Sequence, residues 1–322
     1  MDEGASLLSS APAPRVRPTQ RCGAVLAIAV ALSWIQAWLS VAIDMGHAFA
    51  RHRLDSSQRL LGALFAEALT AEERSRLTVR IYDFYPGYRR IGTHLHGWEQ
   101  IWFQRRLPPP SARILVGACG RGREAIALVE QGYRVDTFDP APEFVAEARR
   151  CLGARAAVWE MRYEDLSAAV LDGRAIAGVD LRRAFYDAIV LGHGSLTHVL
   201  DPREQARLLR ALDLLCPSGP ILASFFCDEG KPAASAPLGY AVRLGAAIGR
   251  RLGKLRGIRS GDSAQQSYRQ HMGFAYTFAR TQIEDLGRLV NRQVKWESED
   301  VRSFHATFLP PGADPASPSP PA

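Results

Sequence analysis

Residues 114–122 read ILVGACGRG, an apolar segment that leads directly into a glycine-rich turn. A helical pattern follows over 122–130, so the stretch predicts a strand, a tight turn and a helix in succession. Glycines let a backbone approach a ligand closely, and the amino end of a helix favours an anionic group. Many strand–helix junctions use glycine for geometry alone, so this turn indicates a ligand site only together with other features.

Strand-like and helix-like segments alternate downstream of this turn. The expected strands are 112–116, 134–138, 156–160, 187–191 and 220–226, and the expected helices are 122–130, one that begins at Pro140 or Ala141, and 202–215. Nearer the C-terminus, strands are expected at 274–281 and 304–309, on either side of a helix at 282–290. Such alternation is typical of a parallel sheet with helices on both faces. The predicted fold class is α/β, with a Rossmann-like, doubly wound, mostly parallel sheet and a helical N-terminal cap.

The composition changes along the chain and suggests its division. We expect disordered tails at 1–22 and 310–322, a helical N-terminal cap region at 23–110, and the α/β domain at 111–309 with an insertion at 228–273. Residues 23–43 are apolar and long enough to cross a bilayer. However, polar residues recur at spacings of three and four from Ser33 to Arg51, as on a helix packed against protein. A soluble cap helix is therefore favoured over membrane contact through 23–43.

The overall composition limits the possible functions. The chain has 322 residues, of which 47% are hydrophobic and 23% charged, and its formal net charge is +7. This composition is ordinary for a globular protein, and no nucleic-acid-binding motif accompanies the positive charge, so a nucleic-acid partner is not expected. The five cysteines form no C-x-x-C pair. They therefore favour neither a disulfide framework nor a zinc site, and they fit a cytoplasmic location.

A carboxylate follows the second expected strand, where the sequence reads Phe138-Asp139-Pro140. A carboxylate at this place can accept two hydrogen bonds from a ribose diol. Asp before Pro is also a common helix start, in which the side chain caps the helix. The two roles are compatible, and the glycine turn upstream favours ribose binding by Asp139.

The same turn also fits a nicotinamide cofactor. Gly120, Gly122 and Ala125 match the G-x-G-x-x-A fingerprint of dinucleotide-binding domains. A nicotinamide-dependent oxidoreductase is therefore an alternative function at this point. The sequence offers no Tyr-x-x-x-Lys pair or similar arrangement for hydride transfer, which counts against this alternative.

The order of motifs over about Ser111 to Leu309 resembles the class I S-adenosylmethionine-dependent methyltransferase superfamily. Besides the turn and Asp139, the resemblance rests on YEDL at 163–166, YDAIVLGHG at 186–194 and PSGP at 217–220. It implies S-adenosyl-L-methionine as the cofactor and methyl transfer to a small-molecule acceptor as the activity. It also implies that the C-terminal strands include a reversed last strand.

The resemblance assigns roles to particular residues. The turn from Gly117 to Gly122, with Ala118, Cys119 and Gly120 in it, would hold the methionine part of the cofactor. Asp139 would hold the ribose, and Asp165, with Glu164 beside it, would meet the adenine amino group. Gly192 and His193 would line the opening toward the acceptor. Tyr88 and the aromatic residues at 82–85 would form a lid, although they also fit a packed aromatic cluster.

The turn departs from the pattern of the superfamily at two positions. With Gly120 and Gly122 aligned to the last two glycines of the pattern, Val116 stands where an acidic residue is common and Ala118 where the first glycine stands. The carboxylate that usually faces the ammonium group of the cofactor is therefore missing from the first strand.

His193 is the candidate general base, because it follows the fourth strand at the carboxyl edge of the sheet. A base adds to methyl transfer when the acceptor must lose a proton. His198 is a weaker candidate, and His193 fits equally well as a hydrogen-bonding residue of the cavity wall. No third ligand is suggested near His94 and His96, so no metal is expected. A third possible function is non-enzymatic binding at a membrane by a methyltransferase-like fold.

The insertion at 228–273 contains several basic residues, together with Gly245, Gly249, Gly253 and Gly257 at every fourth position. Glycines on one face of a helix allow close packing, and basic residues could contact an acidic substrate or anionic lipid. Repeated glycine also weakens a helix. A mobile, solvated excursion is therefore slightly favoured.

Overall fold

The computed structural model describes residues 56–84, 94–176, Leu181, 185–228, 239–258, 265–269, 272–298 and 304–313, together with Gly46 and Arg53. All of these except Gly46 and Arg53 belong to one compact unit, residues 56–322. The predictions for the N-terminal tail, for the apolar segment 23–43 and for Tyr88 lie outside the described residues. Within the described ranges, no helix is both long and apolar enough to cross a bilayer.

The described unit alternates helices and strands. The helices are α1 (56–68), α2 (Ala71–Phe84), α3 (Gly97–Arg106), α4 (Arg123–Glu130), α5 (Pro142–Leu152), α6 (Tyr163–Leu171), α7 (Pro202–Leu215), α8 (Tyr240–Leu255) and α9 (Arg280–Leu289). The strands are β1 (Arg113–Gly117), β2 (Arg134–Asp139), β3 (Ala156–Glu160), β4 (Ala188–Leu191), β5 (Ile221–Asp228), β6 (Gln266–Arg269), β7 (Gly273–Ala279), β8 (Gln293–Ser298) and β9 (Phe304–Leu309). Every strand expected from the sequence corresponds to an observed one.

The strands form one mixed sheet whose main path is β3-β2-β1-β4-β5-β7-β6. The pairs β1–β2, β2–β3, β1–β4, β4–β5 and β5–β7 are parallel. Strand β9 pairs antiparallel with both β5 and β8, so it is the reversed last strand that the resemblance implies. The predicted fold class, a doubly wound and mostly parallel sheet, is confirmed.

Successive side chains of the central strands enter two different cores, one on each face of the sheet. Ile114 and Val116 of β1 pack with α3, α4 and α5 on one face. Leu115 of β1 packs with α6 and α7 on the other face. Trp102 and Phe103 of α3 belong to the first of these cores, so a helix from the predicted cap region packs directly against the sheet. A domain boundary at residue 110 remains a prediction.

Strands β6 and β8 were not expected from the sequence. Strand β8 reads QVKWES, in which polar and charged residues outnumber apolar ones, so its pattern does not stand out from a loop. Strand β6 is four residues long and forms a hairpin with β7, which continues the sheet beside the end of β5. Each joins the sheet through the next strand along the chain, β6 through β7 and β8 through β9, and these partners in turn pair with the distant β5. The sequence of β6 or β8 alone does not reveal this pairing.

The insertion contains a packed helix, α8, where a solvated excursion was favoured. Gly245, Gly249 and Gly253 are buried on one face of α8. A Cβ atom added at these positions would lie 2.3–2.5 Å from carbonyl oxygens of α1. The two backbones therefore touch, and only glycine permits this approach. The prediction of an unpacked excursion is wrong for residues 240–255.

Candidate active site

A cavity of about 560 Å³ opens at the carboxyl ends of β1, β2 and β4. Its other walls come from α2, the segment before α3, the start of α6 and the end of β5. The sheet order reverses between β1 and β4, because one half of the sheet continues through β2 and the other through β5. Ligands of doubly wound sheets bind at this type of position, outside the carboxyl ends of the strands.

The glycine turn forms the floor of the cavity through Ala118, Cys119 and Gly120. The turn is tight: the Cys119 N–H donates to the carbonyl of Phe138 at 3.0 Å, and Ala118 and Gly120 have φ angles of 49° and 56°. Left-handed angles of this kind turn successive peptide groups toward one side. The backbone of the turn therefore faces the cavity.

Two other glycines of the predicted set, Gly117 and Gly122, pack against neighbouring side chains rather than facing the cavity. Neither Gly117 nor Gly122 lines the cavity. A Cβ atom at Gly117 would lie 2.8 Å from the Leu191 side chain, and one at Gly122 would lie 3.4 Å from the Cβ of Ala148. These two glycines allow close packing of the strand and of α4 against their neighbours.

Asp139 lies beside the turn at the end of β2 and is 5% exposed. Its Oδ2 accepts a hydrogen bond from the Gly120 N–H at 2.8 Å, and its Oδ1 accepts one from the Ala141 N–H at 2.9 Å. Burial raises the pKa of Asp139 to about 7. The carboxylate therefore holds the turn and the start of the next helix, and each oxygen keeps lone-pair capacity for a further donor.

The two neighbouring carboxylates predicted to contact the adenine, Glu164 and Asp165, lie in different surroundings. Glu164 lines the cavity, and burial raises its pKa. Asp165 is not among the lining residues. Its Oδ2 accepts a hydrogen bond from the Arg162 N–H at 3.2 Å, which caps the start of α6. Arg162 lines the cavity and is held by hydrogen bonds to both carboxylate oxygens of Glu72, at 2.8 and 2.9 Å.

A buried charge cluster, Glu99–Arg123–Glu124, adjoins the cavity and was not predicted from the sequence. The Arg123 guanidinium pairs with both oxygens of Glu99, and its Nη2 lies 2.6 Å from Glu124 Oε1. All three residues are at most 8% exposed. Arg123 and Glu124 follow the last glycine of the turn, so an Arg-Glu pair at the start of this helix was the available signal. The sequence around Glu99 contains no motif that would distinguish it from an ordinary helical residue.

Glu124 and Gly192 lie against each other at the cavity wall. A Cβ atom at Gly192 would lie 2.7 Å from Glu124 Oε1, so a side chain at position 192 would displace this carboxylate. Burial raises the pKa of Glu124 to about 7, and the nearby Glu99 charge adds to the increase, while Arg123 opposes both effects. The cavity thus has a carboxyl group that is poised to ionise close to neutral pH.

His193 lines the cavity where the sequence predicts it, with a left-handed φ of 43°. Its ring stacks on His96 with centroids 5.1 Å apart, and its Nδ1 lies 3.9 Å from Glu99 Oε1. Desolvation in the cavity lowers the pKa of His193, and the Arg123 charge lowers it further. The ring is therefore neutral and able to accept a proton at neutral pH.

His96, Glu99 and His193 also have the atom types of a metal site, and their potential ligand atoms lie within 4.8 Å of one another. The Glu99 carboxylate already pairs with the Arg123 guanidinium, so a metal ion would have to share it with a cation. The two imidazole planes are only 27° apart, so their in-plane lone pairs do not converge on one point. The geometry fits an ion-pair and stacking cluster better than a metal centre.

A second histidine, His198, forms a defined pair with Tyr82 of α2. The Nδ1 of His198 lies 3.0 Å from the Phe274 carbonyl oxygen, and its Nε2 lies 2.9 Å from the Tyr82 hydroxyl. A carbonyl can only accept, so Nδ1 carries the proton and Nε2 accepts from the tyrosine. Desolvation lowers the pKa of His198. Both side chains line the cavity, and they form a more fixed proton acceptor than His193.

No protein-family model matches the chain, and no curated protein matches it by sequence. Solved structures resemble it in fold. The 1,6-didemethyltoxoflavin-N1-methyltransferase of Burkholderia thailandensis, with bound 1,6-didemethyltoxoflavin and S-adenosylhomocysteine, is 17% identical over 74% of this chain and 87% of that one, with a TM-score of 0.44. The magnesium protoporphyrin IX methyltransferase of Synechocystis PCC 6803, with bound S-adenosylmethionine, is 12% identical over 74% and 97%, with a TM-score of 0.44.

A sugar N-methyltransferase from a Streptoalloteichus species is 16% identical over 66% of this chain and 84% of that one, with a TM-score of 0.43. At these identities and scores, the likenesses concern the fold alone.

Proposed function

We propose that this protein transfers a methyl group from S-adenosyl-L-methionine to a small-molecule acceptor. The observation that carries the proposal is the cavity at the point where the sheet order reverses. This cavity brings together the backbone turn at 118–120, the carboxylates of Asp139 and Glu164, and Arg123 and Glu124 of the buried charge cluster. These groups match a ligand that combines a nucleoside with a charged amino-acid end. Methyltransferases among the structural neighbours, which were solved with this cofactor or its product bound, fit the proposal.

The residues present suit the different parts of the cofactor. Asp139 is placed to accept both ribose hydroxyls, because its two oxygens each have one backbone partner and spare lone pairs. The turn at 118–120 would lie under the methionine part. Glu164, at the cavity wall, takes over the proposed adenine contact from Asp165, which caps α6.

Glu124 provides the carboxylate that the superfamily pattern usually places on β1 and that is missing there. Val116, at the expected acidic position, is 1% exposed and belongs to the apolar core. Glu124 instead presents a buried carboxyl group beside Gly192, on the same side of the turn. When Glu124 is ionised, the cluster of one guanidinium and two carboxylates has one net negative charge, which complements the ammonium group of the cofactor.

The chain's own groups have simple tasks in such a reaction. The bound cofactor supplies an electrophilic methyl group, and the protein aligns the acceptor with it, which can contribute roughly 7–11 kcal/mol to lowering the barrier. Tyr82 and His198 are placed to take the proton that the acceptor loses. His193 remains the base predicted from the sequence, and its stack on His96 also suits it to hold a planar acceptor. The aromatic and histidine lining of this wall includes Trp98 and Phe226.

Calorimetric titration tests the cofactor assignment. The protein should bind S-adenosylmethionine and S-adenosylhomocysteine, whereas NADH should not bind. Asp139→Ala should weaken cofactor binding at least tenfold, since it removes the proposed ribose acceptor and the support of Gly120. Circular dichroism of the variant shows whether the fold is retained. Tight NADH binding without S-adenosylmethionine binding would favour the oxidoreductase alternative, and unchanged affinity in a folded Asp139→Ala would refute the ribose role.

The affinity for S-adenosylmethionine should rise as the pH increases through about 7. Burial raises the pKa values of Glu124 and Asp139 to about 7, and the ligand's ammonium and hydroxyl groups interact best with the ionised carboxylates. Below this pH, binding must first remove protons from these groups, so the dissociation constant increases. Glu124→Gln should bind roughly tenfold more weakly at pH 8 and should depend less on pH.

The exposed Glu130→Gln, at the far end of α4, is the matched control and should behave like the wild type. A dissociation constant of the wild type that does not change with pH would contradict the proposed role of Glu124.

A further inference from the structure

The outer side of α8 has a surface that the proposed reaction does not use. Five large apolar side chains of this helix are exposed by 37–81%. They are Tyr240, Leu244, Ile248, Leu252 and Leu255. At about 100° per residue, they lie on one arc of the helix, about 120° wide. An apolar strip of this kind on a surface helix marks an interaction site rather than ordinary exposure.

A basic arc borders the apolar arc on the same helix, and the two arcs overlap at Arg251. It contains Arg243, Arg250, Arg251 and Lys254, and the helix has no acidic residue. Arg250 lies 3.7 Å from Glu67 of α1. For Arg243, Arg251 and Lys254, the described part of the chain contains no ion-pair partner. The exposed side of α8 therefore combines apolar surface with unneutralised positive charge.

The glycine face determines which side of α8 points outward. Gly245, Gly249 and Gly253 touch the backbone of α1, and an added Cβ atom at any of them would overlap a carbonyl oxygen. The helix cannot rotate about its axis without losing this contact. Its apolar and basic arcs are therefore held outward by packing.

We infer that α8 docks the protein onto a lipid surface rich in anionic headgroups. Helices that lie in a membrane interface combine an apolar face with a polar face rich in Lys and Arg. Anionic headgroups complement the basic arc, and acyl chains can accept the apolar arc. A second copy of this chain fits less well, because a symmetric contact would place the basic arc of one copy against the same arc of the other. The inference is independent of the reaction and of residues 23–43.

Sedimentation of the full-length chain with vesicles tests the inference. The wild type should bind vesicles of phosphatidylcholine mixed with phosphatidylserine, and should bind those of phosphatidylcholine alone much more weakly. The pair of changes Ile248→Gln and Leu252→Gln, or the pair Arg251→Glu and Lys254→Glu, should each lower partitioning by roughly tenfold or more. High salt should weaken binding of the wild type, because it screens the charges.

Two changes on α7 are matched controls. Leu214 is 57% exposed and Arg210 is also exposed, so Leu214→Gln and Arg210→Glu alter surface apolarity and charge elsewhere. Both should bind vesicles like the wild type. The inference is overturned if the wild type does not bind anionic vesicles, or if the α8 variants bind as well as the wild type. It is also overturned if the α8 changes instead dissociate a dimer seen by size-exclusion chromatography.

Discussion

Replacing His198 with glutamine should lower kcat by roughly 10²–10⁴-fold, the usual contribution of a general base, while cofactor affinity stays close to that of the wild type. His198 has one imidazole nitrogen fixed as a donor by the Phe274 carbonyl, so its other nitrogen is an acceptor and receives the hydrogen bond of the Tyr82 hydroxyl. Glutamine preserves polarity and approximate size but cannot take up a proton. Steady-state kinetics with an identified acceptor, together with calorimetry for the cofactor, separate the two effects.

Two companion variants make this test specific. Tyr82→Phe removes the hydroxyl group that donates to His198, and it should also lower kcat, but by less. His193→Gln should act mainly on KM for the acceptor if His193 only holds the substrate. Full activity in His198→Gln with a large kcat loss in His193→Gln would contradict the assignment to His198 and support the base predicted from the sequence.

The pH profile provides a further check on the base. The lowered pKa of His198 keeps its ring neutral to a lower pH than that of an ordinary histidine. Titration of His198 should therefore leave kcat unchanged in mildly acidic solution. Weaker cofactor binding below about pH 7 should appear in KM for S-adenosylmethionine, because Glu124 and Asp139 become protonated there. A parallel loss of kcat at that pH would assign the titration to the base itself.

The fold and part of the site could be predicted because both follow from local patterns. The alternation of short apolar strands and helices predicts a parallel sheet, and carboxyl ends of parallel strands meet at one edge. Ala118, Gly120, Asp139, Gly192 and His193 lie at the carboxyl end of such a strand or within three residues of it, and all five line one cavity. Gly117, Gly122 and Asp165 lie next to residues of this cavity in the sequence but do not line it. Their sequence context did not show this. It could not show that Gly117 packs inward or that Asp165 turns back to cap its helix.

The remaining features depend on contacts between distant segments. Glu99 is an ordinary helical residue until α3 packs beside α4, where its carboxylate meets Arg123. The pairing of Tyr82 with His198 joins residues 116 positions apart. The glycines of α8 indicated close packing but not the partner, which is the backbone of α1. The sequence therefore indicated the carboxyl ends of the strands, and it suggested Tyr82 as part of a lid. It did not reveal the pairing of Tyr82 with His198 or the carboxylate that α3 brings to Arg123.

Arg292→Ala should destabilise the fold by about 3–5 kcal/mol, because each buried polar group that loses its donor costs about 1–3 kcal/mol. The Arg292 side chain is completely buried behind the C-terminal strands. Its Nε donates to Asp213 Oδ1 at 2.7 Å, and its Nη1 donates to the Gly219 carbonyl oxygen at 2.6 Å and to that of Phe308 at 3.2 Å. Its Nη2 donates to the Cys216 carbonyl oxygen. Without the guanidinium, three carbonyl groups lose a donor inside the protein.

The planar guanidinium matters here as well as its charge, because it reaches four acceptors in different directions. Arg292→Lys should therefore recover only part of the lost stability, since an ammonium group has three donors at a single point. Urea unfolding followed by circular dichroism measures both variants. Arg288→Ala, four residues earlier in an exposed pair with Asp285, is the matched control and should leave the midpoint unchanged. If Arg292→Ala unfolds at the same urea concentration as this control, other donors must satisfy the three carbonyls, and the network does not hold β9 against the loop after α7.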